Sequence, residues 1–159
     1  MINEQVQAFW RAFLQSNACP PGVCEEDVPP ALPFGDHPAL ADELGQLVYD
    51  GLKTATCGAL WEYEYDGEAL PQVGELEIVL DGQDRPICVT EITEVMIKPY
   101  NLVEADFAYA EGEDDRTLEA WRREHWKFFS RVLPRIGRVP EETMPLVCQR
   151  FQVIFKKGL

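Results

Sequence analysis

A lone lysine stands three residues before a threonine in Gly51-Leu52-Lys53-Thr54-Ala55-Thr56, inside a stretch otherwise crowded with acids. Residues 1–115 hold 24 Asp and Glu against Arg11, Lys53, Arg85 and Lys98, a balance of −20, whereas residues 116–159 hold 10 basic and 4 acidic residues, or +6. A cation in so anionic a neighbourhood is either paired with a carboxylate or kept for an anionic or carbonyl-bearing ligand. Thr56 has a plainer rival reading, since a threonine at the start of a strand serves β-propensity and a local backbone bond.

The net charge of −14 argues against loose binding to nucleic acid, which needs clustered Lys and Arg to neutralise phosphates. The C-terminal third weakens that objection. Arg116, Arg122, Arg123, Lys127, Arg131, Arg135 and Arg138 form a basic arm that either faces a phosphate backbone or pairs with acids from the first part of the chain. Five cysteines without a secretory pattern suit a reducing compartment, so the expected location is the cytoplasm. Cys19 and Cys24 are the only close cysteine pair and the histidines, His37 and His125, are far apart, so the sequence calls for no metal cluster. No apolar run is long enough to span a bilayer, and no membrane partner is expected.

These residues need elements to position them. Val6, Phe9, Trp10, Phe13 and Leu14 follow a helical stripe over residues 4–16, with Asn3 as a cap. Six prolines between residues 18 and 38 forbid regular helix and predict an extended loop. Asp36 then caps a helix from Pro38 to Asp50, closed by Gly51, which places the Lys53 motif at a helix-to-strand turn. Trp61, Tyr63 and Tyr65 alternate with Glu62 and Glu64 and predict a strand. Further strands are expected at 74–80, 87–97 and 146–155, and a helix carrying Leu118, Trp121, His125, Phe128, Phe129 and Val132 lies between the last two. On this reading His125 is a packed core residue. The order favours an α+β domain, a small and mostly antiparallel β-barrel with flanking helices. Residues 1–38 form an N-terminal helix and proline-rich loop packed on the core, and residues 39–159 the main domain.

The pieces resemble the longer bacterial members of the ASCH family, a branch of the PUA-like β-barrel superfamily. Its Gly-x-Lys-x-x-Thr hallmark is matched by Gly51, Lys53 and Thr56, and the likeness is extended by Trp61, by Ile97-Lys98-Pro99-Tyr100-Asn101, and by residues 107–114 leading into Leu118-Glu119-Ala120-Trp121. The resemblance implies a cleft between sheet and helices, lined by the motif, with RNA or a modified nucleoside as partner. It also implies mixed activities: amidohydrolysis of N4-acetylcytidine, cleavage of single-stranded RNA, or binding without catalysis.

For amide hydrolysis, a partly neutral Lys53 takes the proton of Thr56, which attacks; Glu113 is the positional match for the completing glutamate, with Glu111 and Asp114 as neighbours. Compact amidohydrolase-like members carry an arginine where this chain has Gly58. For RNA cleavage, Lys53 is the cation facing the phosphorane, and the hydroxyls of Tyr49 and Ser130 are candidates to orient the phosphate. Trp61 or Tyr63 would stack a splayed base, with Gly51, Arg122, Arg123 and Lys127 along the nucleic acid. The cofactor is unknown, a divalent metal being possible for a ribonuclease. Acids at 111–115 also have a plain role ahead of a helix, where they meet its dipole.

Overall fold

A computed structural model describes residues 3–158. Five strands, β1 (Ala31–Pro33), β2 (Ala55–Ala59), β3 (Leu76–Leu80), β4 (Pro86–Pro99) and β5 (Pro145–Lys156), are hydrogen-bonded in the order β1-β3-β4-β5-β2. The helices are α1 (Glu4–Leu14), α2 (Pro38–Tyr49), α3 (Leu60–Asp66), α4 (Ala105–Glu111) and α5 (Leu118–Val132). The fold is α+β with a mixed sheet: β3 pairs antiparallel with β4 and β2 with β5, whereas β1 runs parallel to β3. No helix among the described residues is long and apolar enough to cross a membrane.

The chain divides into two compact units. The first comprises residues 1–51, 74–91 and 152–159, the second residues 52–73 and 92–151. In the first, Asn3 Oδ1 accepts from the Val6 amide at 2.8 Å, and α1 turns Val6, Trp10 and Phe13 into a core shared with Ile78, Leu80 and Val89. The proline-rich segment is not featureless, because Ala31–Pro33 adds a three-residue strand at the sheet edge, where proline's missing donor is tolerated. The cap of α2 is His37 rather than Asp36: the His37 Nδ1 accepts from the Leu40 amide at 3.3 Å, and Pro38 takes the first helical position.

In the second unit, residues 60–66 are helical and not the strand that their alternation predicts. Exposure along α3 does not alternate, so the aromatic period carries no buried face. Its end is closed by Gly67 in the left-handed region, with the Glu68 amide donating to Tyr63 O at 3.0 Å. Helix α4, unassigned in the sequence reading, ends at Glu111. Thr117 caps α5 by accepting from the Ala120 amide at 3.1 Å, and the helix buries Ala120, Trp121, His125 and Phe129. Trp121 and Phe129 meet Ala55, Ala59, Tyr100, Phe107, Met144 and Leu146 in the core of this unit.

Candidate active site

Three devices fasten the end of α4 to the segment preceding β2. The Thr54 amide donates to Ala110 O at 2.7 Å, and the Thr54 hydroxyl donates to the same carbonyl at 3.3 Å. Gly112 sits at φ +73° with its Cα face pressed on the Leu52 backbone, where any Cβ would collide. A residue other than glycine there would force the two segments apart. The outcome is that Glu111 and Glu113 flank Lys53.

Lys53 is 1% exposed, and its ammonium donates to Ala55 O at 2.9 Å, Glu111 Oε1 at 3.1 Å and Glu113 Oε2 at 2.8 Å. Burial pushes its pKa down, but the two carboxylates outweigh burial and the net shift is upward. Lys53 therefore stays charged at neutral pH, so in this arrangement it is not the neutral base that the amide-hydrolysis reading asks for. The Glu111 carboxyl is equally buried. It accepts from Trp121 Nε1 at 2.6 Å and lies 3.3 Å from His125 Nε2, while His125 Nδ1 is 2.9 Å from Trp121 O. Burial opposes its ionisation, yet His125 and Lys53 together hold it well below the usual carboxylate range. His125 is shifted up: burial works against its charge, and Glu111 prevails. Cys57 packs beside them, its thiol pushed well up by burial and then by Glu111.

Glu113 is the member of this group that opens outward, with 26% of its side chain exposed. Burial dominates its titration and, with the Glu111 charge, raises its pKa above the ordinary value despite Lys53. The loop leaving it is bent: Asp114 at φ 53° and Arg116 at φ 66° occupy the left-handed region that L side chains rarely adopt. Arg116 is held there by its own side chain, which donates from Nε to Tyr109 O at 3.0 Å and from a terminal nitrogen to Leu52 O at 3.3 Å. Its guanidinium lies 3.6 Å from the centroid of the Tyr109 ring, and Tyr109 is largely exposed. Among the described residues the side-chain hydrogen bonds of Arg116 go to backbone carbonyls, and no carboxylate neutralises its charge.

Thr56 lies on β2 opposite Gln149, and strand alternation turns it away from the face that carries Ala55, Cys57 and Ala59. The Lys53 ammonium is bonded to Ala55 O and to the Glu111 and Glu113 carboxylates. Tyr49 belongs to the first unit and donates its hydroxyl to Lys157 O at 2.6 Å. Ser130 donates to Trp126 O, one turn back on α5, at 2.7 Å. Gly51 takes φ +78° after α2, a conformation that closes the helix. Trp61 is half-buried beneath Arg138, 4.3 Å from its ring centroid, and Tyr63 is half-buried on α3. In the basic arm, Arg123 pairs with Asp114 at 3.2 Å and Glu124 at 3.3 Å, Lys127 with Glu124 at 3.5 Å, and Arg135 with Glu62 and Asp66 at 3.0 Å. Arg122 is exposed and donates to Asn101 O at 3.3 Å. The sequence offers Glu111 only as an alternative to Glu113 and gives no sign of Cys57; His125 is the packed, hydrogen-bonded core residue that its helix face predicts. The available signal was the i, i+4 spacing of Trp121 and His125 on one face of α5.

A cleft of about 480 Å³ opens in the same unit, lined among others by Met96, Lys98, Phe107, Cys148 and Arg150. Its cations are paired, Lys98 with Glu104 at 3.4 Å and Arg150 with Glu94 at 3.0 Å and Asp106 at 3.1 Å.

The ASCH domain profile matches residues 31–155. The chain belongs to the ASCH domain family. It is similar to a solved protein of Enterococcus faecalis V583, with 37% identity and a TM-score of 0.87 over 98% of this chain and 91% of that one. It is also similar to an ASCH domain from Lactobacillus crispatus JV V101, with 34% identity and a TM-score of 0.87 over 97% and 96% of the two chains. A third structure, a hypothetical protein titled PH0355, shares the fold at 11% identity and a TM-score of 0.51. No curated protein matches the sequence. The ASCH family is RNA-binding in kind.

Proposed function

We propose that this ASCH protein binds single-stranded RNA at the mouth of the Lys53 cluster and cleaves it, with Glu113 as the base and Arg116 as the phosphate-facing cation. The observation that carries this reading is the loop from Gly112 to Arg116. It sets a partly exposed carboxyl of raised pKa three residues from an arginine held in a strained backbone conformation, its charge unspent, beside an exposed aromatic ring. Backbone strain of this kind clusters at functional sites.

Glu113 accepts the proton of a ribose 2′-hydroxyl, the 2′-oxygen attacks the adjacent phosphorus as the bond to the 5′-oxygen of the next nucleotide breaks, that oxygen takes a proton from solvent water, and Glu113 returns its proton to solvent. The products are a 2′,3′-cyclic phosphate and a free 5′-hydroxyl. Arg116 donates to the non-bridging oxygens as charge builds there, and Tyr109 supplies a face for a splayed base. Lys53 holds Glu113 in place and offsets its charge rather than touching the phosphate, from which its burial separates it.

A second reading, amide hydrolysis of an N4-acetylcytidine-type nucleoside, is favoured by one feature. The raised pKa of Glu113 also suits protonation of an amine leaving group. One experiment separates the two: mass spectrometry of an unstructured RNA oligonucleotide carrying a single N4-acetylcytidine, incubated with the protein and with Glu113→Gln. Fragments ending in a 2′,3′-cyclic phosphate, absent with the variant, support cleavage. An intact chain that has lost its acetyl group supports the second reading, and an unchanged oligonucleotide contradicts both.

A further inference from the structure

The Cys57 thiol, the Glu111 carboxylate and the His125 imidazole, from β2, α4 and α5, bring their ligand atoms within 4.8 Å of one another. We infer that these three side chains form a metal site of their own, suited to zinc or another borderline transition ion, with one coordination position left open. The set is sulfur, nitrogen and oxygen, the mixture that borderline divalent ions take, and three protein ligands are the number found where a fourth position is kept for water.

Two further features point to a built site. His125 Nδ1 lies 2.9 Å from the Trp121 carbonyl, which fixes a proton on that nitrogen and leaves Nε2 aimed at the cluster; metal-ligating histidines are oriented by such a bond to a backbone carbonyl. Glu111 Oε2 is in turn held by Trp121 Nε1 at 2.6 Å, so two of the three ligands are oriented by one residue, Trp121. The nearby ammonium of Lys53 does not forbid a cation. Uptake of a divalent ion releases the Cys57 thiol proton and the second imidazole proton, and this exchange of two positive charges for two leaves the net charge of the cluster unchanged. To reach metal–ligand distances of roughly 2.0–2.3 Å the ligand atoms must draw in.

The sequence hid this site because its ligands are spread across residues 57, 111 and 125 and none belongs to a closely spaced pair. The inference stands apart from RNA cleavage, since its readout is metal binding. The test is titration of the reduced, metal-stripped full chain with Co²⁺, followed by optical absorption, and then competition with Zn²⁺. The expected result is one ion per chain with a thiolate-to-cobalt band in the near ultraviolet and intense visible bands of a four-coordinate ion, both abolished by zinc. Cys57→Ser removes the thiolate band, and His125→Asn lowers affinity by more than about tenfold. Cys148→Ser, altering the cysteine directly across the sheet from Cys57, leaves both band and affinity unchanged. Circular dichroism of each variant establishes that it is folded. Weak six-coordinate bands without a thiolate transition, or a spectrum unaltered in Cys57→Ser, would overturn the inference.

Discussion

In the first unit the largest fully buried side chains are Trp10, Phe13, Ile78, Val48 and Val79, whereas in the second Lys53 and Glu111 are as deeply enclosed as Phe129, Leu133 and Met144. The first core is held by apolar burial, which asks only for volume and shape. The second contains charges that cost free energy to desolvate and are tolerated because each is bonded to another. Apolar cores of equal volume are often as stable or more so, which makes this ionic core a candidate for function and not only for stability. In this chain it holds Glu113, the proposed base, at its edge.

The contrast can be broken most forcefully at its centre. Glu111→Gln leaves Lys53 and His125 buried with too little negative charge and is expected to cost about 3–5 kcal/mol in urea unfolding. Phe13→Ala in the first unit is expected to cost a similar ~3–5 kcal/mol, but through a cavity. Adding Lys53→Met to Glu111→Gln should recover much of the first loss, because the stranded cation is gone; no recovery would show that the cluster is not an ion-pair core.

The pH dependence separates the two cores next. Glu111 is held below its usual range, so its contribution is full above an ordinary glutamate pKa of 4.5 and fades as pH falls below it. His125 is raised, so its contribution is full below 6.5 and fades as pH climbs through the raised value. The stability gap between wild type and Glu111→Gln should therefore be widest between these two limits and shrink on either side. The gap for Phe13→Ala should stay flat with pH.

Smaller effects follow at the edge and the surface. Arg116→Gly is expected to change stability by less than about 1 kcal/mol, since relief of the left-handed strain offsets the two lost side-chain bonds. The same variant should weaken binding of single-stranded RNA and lower its salt dependence. Arg11→Ala, which removes an exposed pair with Glu25, should shift stability by under about 0.5 kcal/mol.

Much of the scaffold was legible in the chain because it rests on local rules. The stripe of α1, the Asn3 cap, the stop at Gly51 and the β-branched strands are each decided within a few residues. The aromatic alternation at 61–65 misled because its period marked no buried face, and helix closure at Gly67 was the stronger local signal. At the site, charge contrast singled out Lys53 and the family resemblance singled out Glu113, but charge contrast left open whether Lys53 pairs with a carboxylate or awaits a ligand, and their bond is visible only in three dimensions. The deeper partners were no more legible, since the contact of Glu111 with Trp121 and His125 depends on how α4 meets α5, and no local pattern encodes it.

The central claim is that the ionic core exists to present Glu113, and the most direct test measures stability and RNA cleavage side by side for Glu113→Gln. Glutamine keeps a hydrogen-bond acceptor for the Lys53 ammonium and removes a carboxylate that burial and Glu111 disfavour, so the variant is predicted to stay within about 1 kcal/mol of wild type. Its cleavage rate should fall by at least about a hundredfold. A variant that is several kcal/mol less stable yet cleaves at the wild-type rate would contradict the account.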